Sequence, residues 1–362
     1  MKKQILLLVC AAIVAGMALA NDSWYYTSGN QLIPINNTTI HVTKEILSID
    51  LRDDGSAYVD VRYEFTNPEK EAKTILMGFE ADPPYFCDED ELNKYAHPYI
   101  KNFTVEINGQ KIAYKNAISK IGNFCPINKP MQLCDYHEGD YDHSMDDMAY
   151  VYYFNATFNP GVNKVHHTYH YDLGGSVYEP YFLNYKLTPA ARWANKQIDD
   201  FTLIVNAKKT AKHFFIPVSN LPGMRPEVAS GNGKVRKSNS QYSDNGLEWE
   251  MTVRNGAIRF HATNFLPKEE LQIHSGSFCG GLKATYDRSR YTPECFYDDE
   301  YSPDFLIRVI HNLPYASRGH VFKNQELKKF FESCFWYIPD PNYKDNTSDF
   351  TESDWECVNY RR

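Results

Sequence analysis

Beyond its first twenty residues the chain has no apolar run near the roughly 20 residues that a membrane-spanning helix needs, so no helical anchor is expected once that leading stretch is removed. It has no C-x-x-C, which removes the usual support for a redox enzyme or a zinc knuckle. G-x-S-x-G, H-E-x-x-H and the catalytic-cysteine signatures are also missing, so no familiar nucleophilic or zinc hydrolase is indicated. Clustered basic residues are scarce: Lys234, Arg236 and Lys237 stand together in a chain of formal charge -8. Such a chain gains little from releasing counterions off a phosphate backbone, and nucleic acid is not expected as a partner. Helical periodicity is scarce outside the C-terminal segment, and no fixed repeat appears.

What is present begins with export. Lys2 and Lys3 precede an apolar run from Ile5 to Val14, and Ala18-Leu19-Ala20 offers small residues before Asn21. This pattern is that of a secretory signal peptide, residues 1–20, cleaved after Ala20. Cys10 lies inside the run and is not placed as a lipid acceptor. Removal of Lys2 and Lys3, with no acid among the first twenty residues, takes the formal charge from -8 to -10. The expected location is periplasmic or extracellular, with no transmembrane segment after processing.

The chain holds 27 Tyr and 21 Phe, a composition suited to sheet. Leu47, Ile49 and Leu51 alternate with polar residues, Asp54-Gly55 turns, and Ala57 to Phe65 alternates back. Asn108-Gly109 marks a second hairpin, Asn159-Pro160-Gly161 a third and Asn255-Gly256 a fourth. Two long polar segments, Ala81 to Ile100 and Ile118 to Asp147, read as loops, as does Pro222 to Gly246. Trp193 anchors a link between two β regions. The expected fold is mainly β: two antiparallel β-sandwich (Ig-like) domains, residues 21–192 and 193–275, resembling in layout bacterial exported sandwich families. A linker and small helical module, 276–340, and a tail, 341–362, follow.

Seven cysteines remain after export, in a compartment where disulfides persist. Proximity in sequence pairs Cys279 with Cys295 and Cys334 with Cys357, and two of Cys87, Cys125 and Cys134 with each other. The densest set of metal-ligand types is His137, Asp140, Asp142 and His143. Carboxylates so spaced offer hard oxygens to Ca²⁺ and the imidazoles a softer site, although the spacing matches no EF-hand or zinc signature and equally suits a solvated acidic loop. No cofactor is expected, with structural Ca²⁺ left open. His166 and His170 share one strand face, opposite a Val165, His167, Tyr169, Tyr171 stripe.

The segment Ser302–Pro339 carries the one recognisable module. Ser302-Pro303 starts a helix with Phe305, Leu306, Val309, Ile310 and Leu313 at helical spacing. Asn324 caps a second, with Leu327, Phe330, Phe331 and Cys334 on one face. Between them, Tyr315-Ala316-Ser317-Arg318-Gly319 and Phe322, with Asn312 before and Trp336-Tyr337 and Pro339 after, resemble the YARHG domain of bacterial extracytoplasmic proteins. Ser317 stands where the family has Arg, and Arg318 where it has His. Candidate ligand residues are Arg308, Tyr315, Arg318, Trp336 and Tyr337, because aromatic faces stack on sugar rings or peptide planes while guanidinium pairs a carboxylate. The same rings also suit the core of a very small domain. The reading is an exported, non-catalytic binding or scaffolding protein, with a cell-wall polymer, glycan or envelope protein as partner. The alternatives are an envelope hydrolase assembled from distant loop residues and a metal-stabilised adhesion protein.

Overall fold

Alternation decides the strands. The stretch Ser56–Asn67 sends Ala57, Val59, Val61, Tyr63 and Phe65 inward, and the antiparallel neighbour Gly161–Asp172 answers with Val165, His167, Tyr169 and Tyr171. The computed structural model describes residues 28–30, 32–81, 100–119, 133–134, 149–175, 179–240, 246–277, 281–284 and 301–361. Its strands are β1 (Ser28–Asn30), β2 (Leu32–Pro34), β3 (His41–Leu51), β4 (Ser56–Asn67), β5 (Lys73–Ala81), β6 (Ile100–Ile107), β7 (Gln110–Lys111), β8 (Lys115–Ser119), β9 (Leu133–Cys134), β10 (Ala149–Phe158), β11 (Gly161–Asp172), β12 (Phe182–Lys186), β13 (Ile198–Ala207), β14 (Lys212–Pro217), β15 (Glu227–Asn239), β16 (Leu247–Phe265) and β17 (Leu271–His274). The helices are α1 (Gly281–Ala284), α2 (Pro303–Ser317), α3 (Gln325–Ser333) and α4 (Glu352–Val358).

The protein is mainly β, and among the described residues the longer helices lie in the C-terminal module. Among the described residues the strands form a 12-stranded sheet, in the order β1-β12-β17-β14-β16-β13-β3-β4-β11-β6-β7 with β15 beside β16, and a 5-stranded sheet, β2-β5-β10-β8-β9. The two sheets share one apolar core, in which Phe79 and Tyr152 of the smaller sheet meet Phe103 and Tyr169 of the larger. Asp54-Gly55 and Asn108-Gly109 turn hairpins as expected, the latter with positive φ at both residues. Trp193 is buried, meets the Phe65 ring at a tilt of 45° and donates its indole N–H to the Leu32 carbonyl. Alternation leaves one pairing unspecified: β3 and β13 run parallel, Lys44 to Leu51 beside Asp200 to Ala207, so the large sheet is continuous across the region around Trp193.

Three expectations are corrected. Asn159-Pro160-Gly161 does not close a hairpin, because β10 pairs with β5 and β8 in one sheet while β11 pairs with β4 and β6 in the other. Nor does Asn255-Gly256 reverse the chain. It lies inside the 19-residue β16, where Asn255 takes a φ of 49° and the strand passes from β14 to β13 as partner. A Cβ on Gly256 would overlap the Ser230 carbonyl, so the glycine serves the close approach of β15. The expected loop Pro222 to Gly246 contains β15, an edge strand exposed along much of its length, which therefore lacks the alternation that reveals buried strands.

Candidate functional site

The two long helices of the module start where the sequence places their caps. Ser302 Oγ accepts from the Phe305 amide at 3.3 Å, and Asn324 Oδ1 accepts from the amides of Glu326 and Leu327. The apolar stripes of α2 and α3 meet around Phe331 and Trp336 in a core of their own. The signature residues form the turn that ends α2. His320 N donates to the Tyr315 carbonyl, and Gly319 takes a φ of +96°, a conformation that disfavours any side chain.

This module sits on the outer face of β16. Along residues 248–254 that strand is buried on both faces. Trp249, Met251 and Val253 enter the sandwich core, while Glu248, Glu250, Thr252 and Arg254 make a polar row on the other side. Thr252 Oγ1 donates to the Trp336 carbonyl, Arg254 pairs with Asp340 at 3.2 Å, and Lys234 Nζ donates to the carbonyls of Phe335 and Tyr337. Arg236 lies over the Phe335 ring at 4.2 Å while holding Glu250 with two hydrogen bonds. Burial works to raise the Glu250 pKa, but the hydrogen bonds from His213 and Arg236 outweigh it and hold the carboxyl below its usual value. Burial lowers the pKa of Lys234. These seam residues lie in the stretches read as a loop and a hairpin, and the polar alternation Glu248, Glu250, Thr252, Arg254 was the signal to be found.

Between the start of α2 and α3 opens a cavity of about 610 Å³. Tyr301, Phe305 and Phe330 meet there with ring centroids 5.2 to 5.8 Å apart. Lys283 Nζ stands 4.9 Å from the Tyr301 ring centre, Arg308 lies over Phe305, and Lys329 joins them on the wall. Arg308 also pairs with Glu326 at 2.9 Å, but both side chains are well exposed, so the pair is worth at most about 1 kcal/mol and yields readily to a ligand carboxylate. The arrangement offers ring faces for stacking and three cations for an acidic group.

Of the five ligand candidates, only Arg308 lines this groove. Trp336 and Tyr337 are buried in the module core, and Trp336 donates its indole N–H to the Leu282 carbonyl. Arg318 is 4 % exposed and spends its donors on Asp354, Pro314 and Asp349 beneath the Phe350 ring. Burial opposes its charge, yet the hydrogen bond and field of Asp354, with Asp349 and Asp53, raise its pKa. Tyr315 is half-buried against Phe350.

The expected Cys334–Cys357 bridge is not made: both are buried thiols. Burial pushes the Cys334 pKa up to about 12. The tail after Pro339 is held by other means. Thr351 and Asp354 form a capping box for α4, and the Tyr360 carbonyl bonds His311 at 2.7 Å. His137, Asp140, Asp142, His143, Cys279 and Cys295 lie outside the described residues, as do Cys87, Cys125 and the expected signal peptide. Among the described residues no group of three or more His, Cys, Asp or Glu is placed to hold a metal ion, and no helix is long and apolar enough to cross a membrane. His166 pairs with Asp60 at 2.9 Å, and His167 is buried.

Fold and site together define a β-sandwich protein closed by a small helical domain. The family model of the YARHG domain matches residues 284–362, and that of a domain of unknown function (DUF4424) matches residues 20–121. The fold is similar to the crystal structure of a proposed nutrient binding protein from Legionella pneumophila subsp. pneumophila str. Philadelphia 1, at 21 % identity and a TM-score of 0.50, covering 94 % of this chain and 99 % of that one. An M1 zinc metallopeptidase from Deinococcus radiodurans aligns at 10 % identity over 67 % of this chain and 43 % of its own, with a TM-score of 0.25 that is too low to support a shared fold. Comparison with curated proteins finds no match.

Proposed function

We propose that this is an exported, non-catalytic binding protein of a bacterial envelope, processed after Ala20, whose YARHG domain holds an acidic group of a cell-wall polymer, glycan or envelope protein. The observation that carries the reading is the groove between α2 and α3, where Arg308, Lys283 and Lys329 surround the Tyr301, Phe305 and Phe330 rings. The Legionella neighbour's name is compatible with a ligand-binding role. Arg308 supplies the paired donors that a carboxylate accepts, and the rings take the apolar face beside it. Titration calorimetry with solubilised cell-wall fragments tests this. A charge-assisted contact of about 1.5–3 kcal/mol predicts that Arg308→Ala weakens binding roughly tenfold to a hundredfold. Unchanged affinity in that variant sinks the proposal.

A further inference from the structure

One outer stripe of α2 carries Phe305, Arg308, Asn312 and Tyr315 on the side away from Leu306, Val309, Ile310 and Leu313; Arg308 is exposed and the other three are partly exposed. About 10.5 Å along the axis from Arg308, two helical turns on, the stripe ends on Tyr315. There the Tyr315 ring meets Phe350 at 5.1 Å, and Phe350 meets Trp355 of α4 at 5.4 Å. Three separate segments thus bring three rings into one row. Trp355 is 41 % exposed, although the domain buries its other tryptophan completely. An indole left open in so small a domain forgoes burial that its core would use. The exposed carboxylates of Glu352 and Glu356 lie on the same short helix, and the exposed Asn359 amide donates to the Trp355 carbonyl.

The surroundings select the ligand. Acids around the ring row repel phosphate polymers and anionic lipid surfaces. The guanidinium of Arg318, 4.5 Å from the Phe350 ring centre, already fills one cation site on the row from within. Hydroxyl groups donate well to carboxylates, and the C–H face of a sugar ring packs on an indole. We propose that Trp355, Phe350 and Tyr315 form a stacking platform for the pyranose rings of an uncharged glycan, whose hydroxyls donate to Glu352 and Glu356. This site rests on the exposed Trp355 indole with the partly exposed Phe350 and Tyr315 rings beside it, and not on the groove at Arg308.

The test uses the full processed chain, isotope-labelled, with chitohexaose as the probe. The indole N–H signal of Trp355, assigned by its loss in Trp355→Phe, is expected to shift on titration. Trp355→Ala is expected to weaken calorimetric binding about tenfold or more, at a temperature where its own melting curve shows it fully folded, since the indole also packs on Phe350. Arg308→Ala should leave chitohexaose affinity unchanged, so failure of the groove and failure of the platform are read separately. Full chitohexaose affinity in Trp355→Ala overturns the proposal. So does a Trp355 signal that ignores the sugar and moves only with tetramethylammonium, which would mark a cation site.

Discussion

His167 should make this protein unusually sensitive to mild acid. Its ring lies at 0 % exposure among Tyr63, Phe79, Phe103 and Tyr169, and neither ring nitrogen has a hydrogen-bond partner. Burial, helped by the charge of His166 and only weakly opposed by Asp60, depresses its pKa from 6.5 to about 3. The folded protein therefore binds a proton at this site less readily than the unfolded chain. Stability from this source is complete above the unfolded value of 6.5 and drains away as the pH falls toward the folded value near 3. At about 1.4 kcal/mol per pH unit, the loss is about 2 kcal/mol by pH 5 and at most about 5 kcal/mol in all.

The perturbation is His167→Phe, which keeps a ring in the same aromatic nest and removes the titration. Urea unfolding at about pH 7 and about pH 5 compares the two proteins. The wild type should lose about 2 kcal/mol more than the variant over that interval, which lies above the carboxylate range. At neutral pH the variant should gain about 1–3 kcal/mol, the cost of a buried polar group without a partner, less any strain from the larger ring. Equal losses in both proteins would refute the burial argument.

Gly319→Ala should destabilise the domain by about 2 kcal/mol or more, since a φ of +96° costs a side chain about 1–2 kcal/mol and the new Cβ would sit 2.9 Å from both Arg254 Nη2 and Asp340 Cβ. Limited proteolysis should then release the C-terminal domain sooner. Arg318→Met leaves Asp354 beside an apolar stem and should cost about 3 kcal/mol, read as a lower melting temperature that a second change, Asp354→Asn, partly restores. Cys334, with its thiol pushed up to about 12, should resist iodoacetamide at neutral pH in the native protein and react once urea unfolds it.

The strands that could be read from sequence are those with one wet face. β3, β4 and β11 alternate because one side meets the shared core, and the Asp54-Gly55 and Asn108-Gly109 turns lie between partners close in sequence. The parallel β3–β13 pairing joins residues more than 150 positions apart, and nothing local encodes it. Asn255-Gly256 carries the composition of a hairpin turn, but the long β15 holds the strand on both sides of the kink, so tertiary pairing overrides the dipeptide. In the YARHG domain the caps and apolar stripes were legible. The partition of its aromatic and basic residues was not: Arg308 and Arg318 look alike in sequence, and only packing sends one to a groove and the other beneath Phe350.

The departure of Ser317 from the family's arginine has a physical reason in how the domain meets the sheet. Ser317 is 2 % exposed. Its hydroxyl donates to the Pro314 carbonyl at 2.9 Å, and its own carbonyl accepts from the Ala211 amide at 2.8 Å, just before β14. That backbone contact brings the end of α2 against the strand, and a small side chain permits the approach. The next residue, Arg318, then turns inward to Asp354 and ties α4 to the same corner. Ser317→Arg would place a long cation at a position already buried against the strand, costing about 1–3 kcal/mol in overpacking before any charge burial. The expected result is a lower melting temperature with faster proteolytic release of residues after Ser302, while the β-sandwich signals in the amide spectrum stay in place. A Ser317→Arg protein as stable as the wild type would mean that the Ala211 contact does not hold the corner, and that the two signature positions vary independently of how the domain docks.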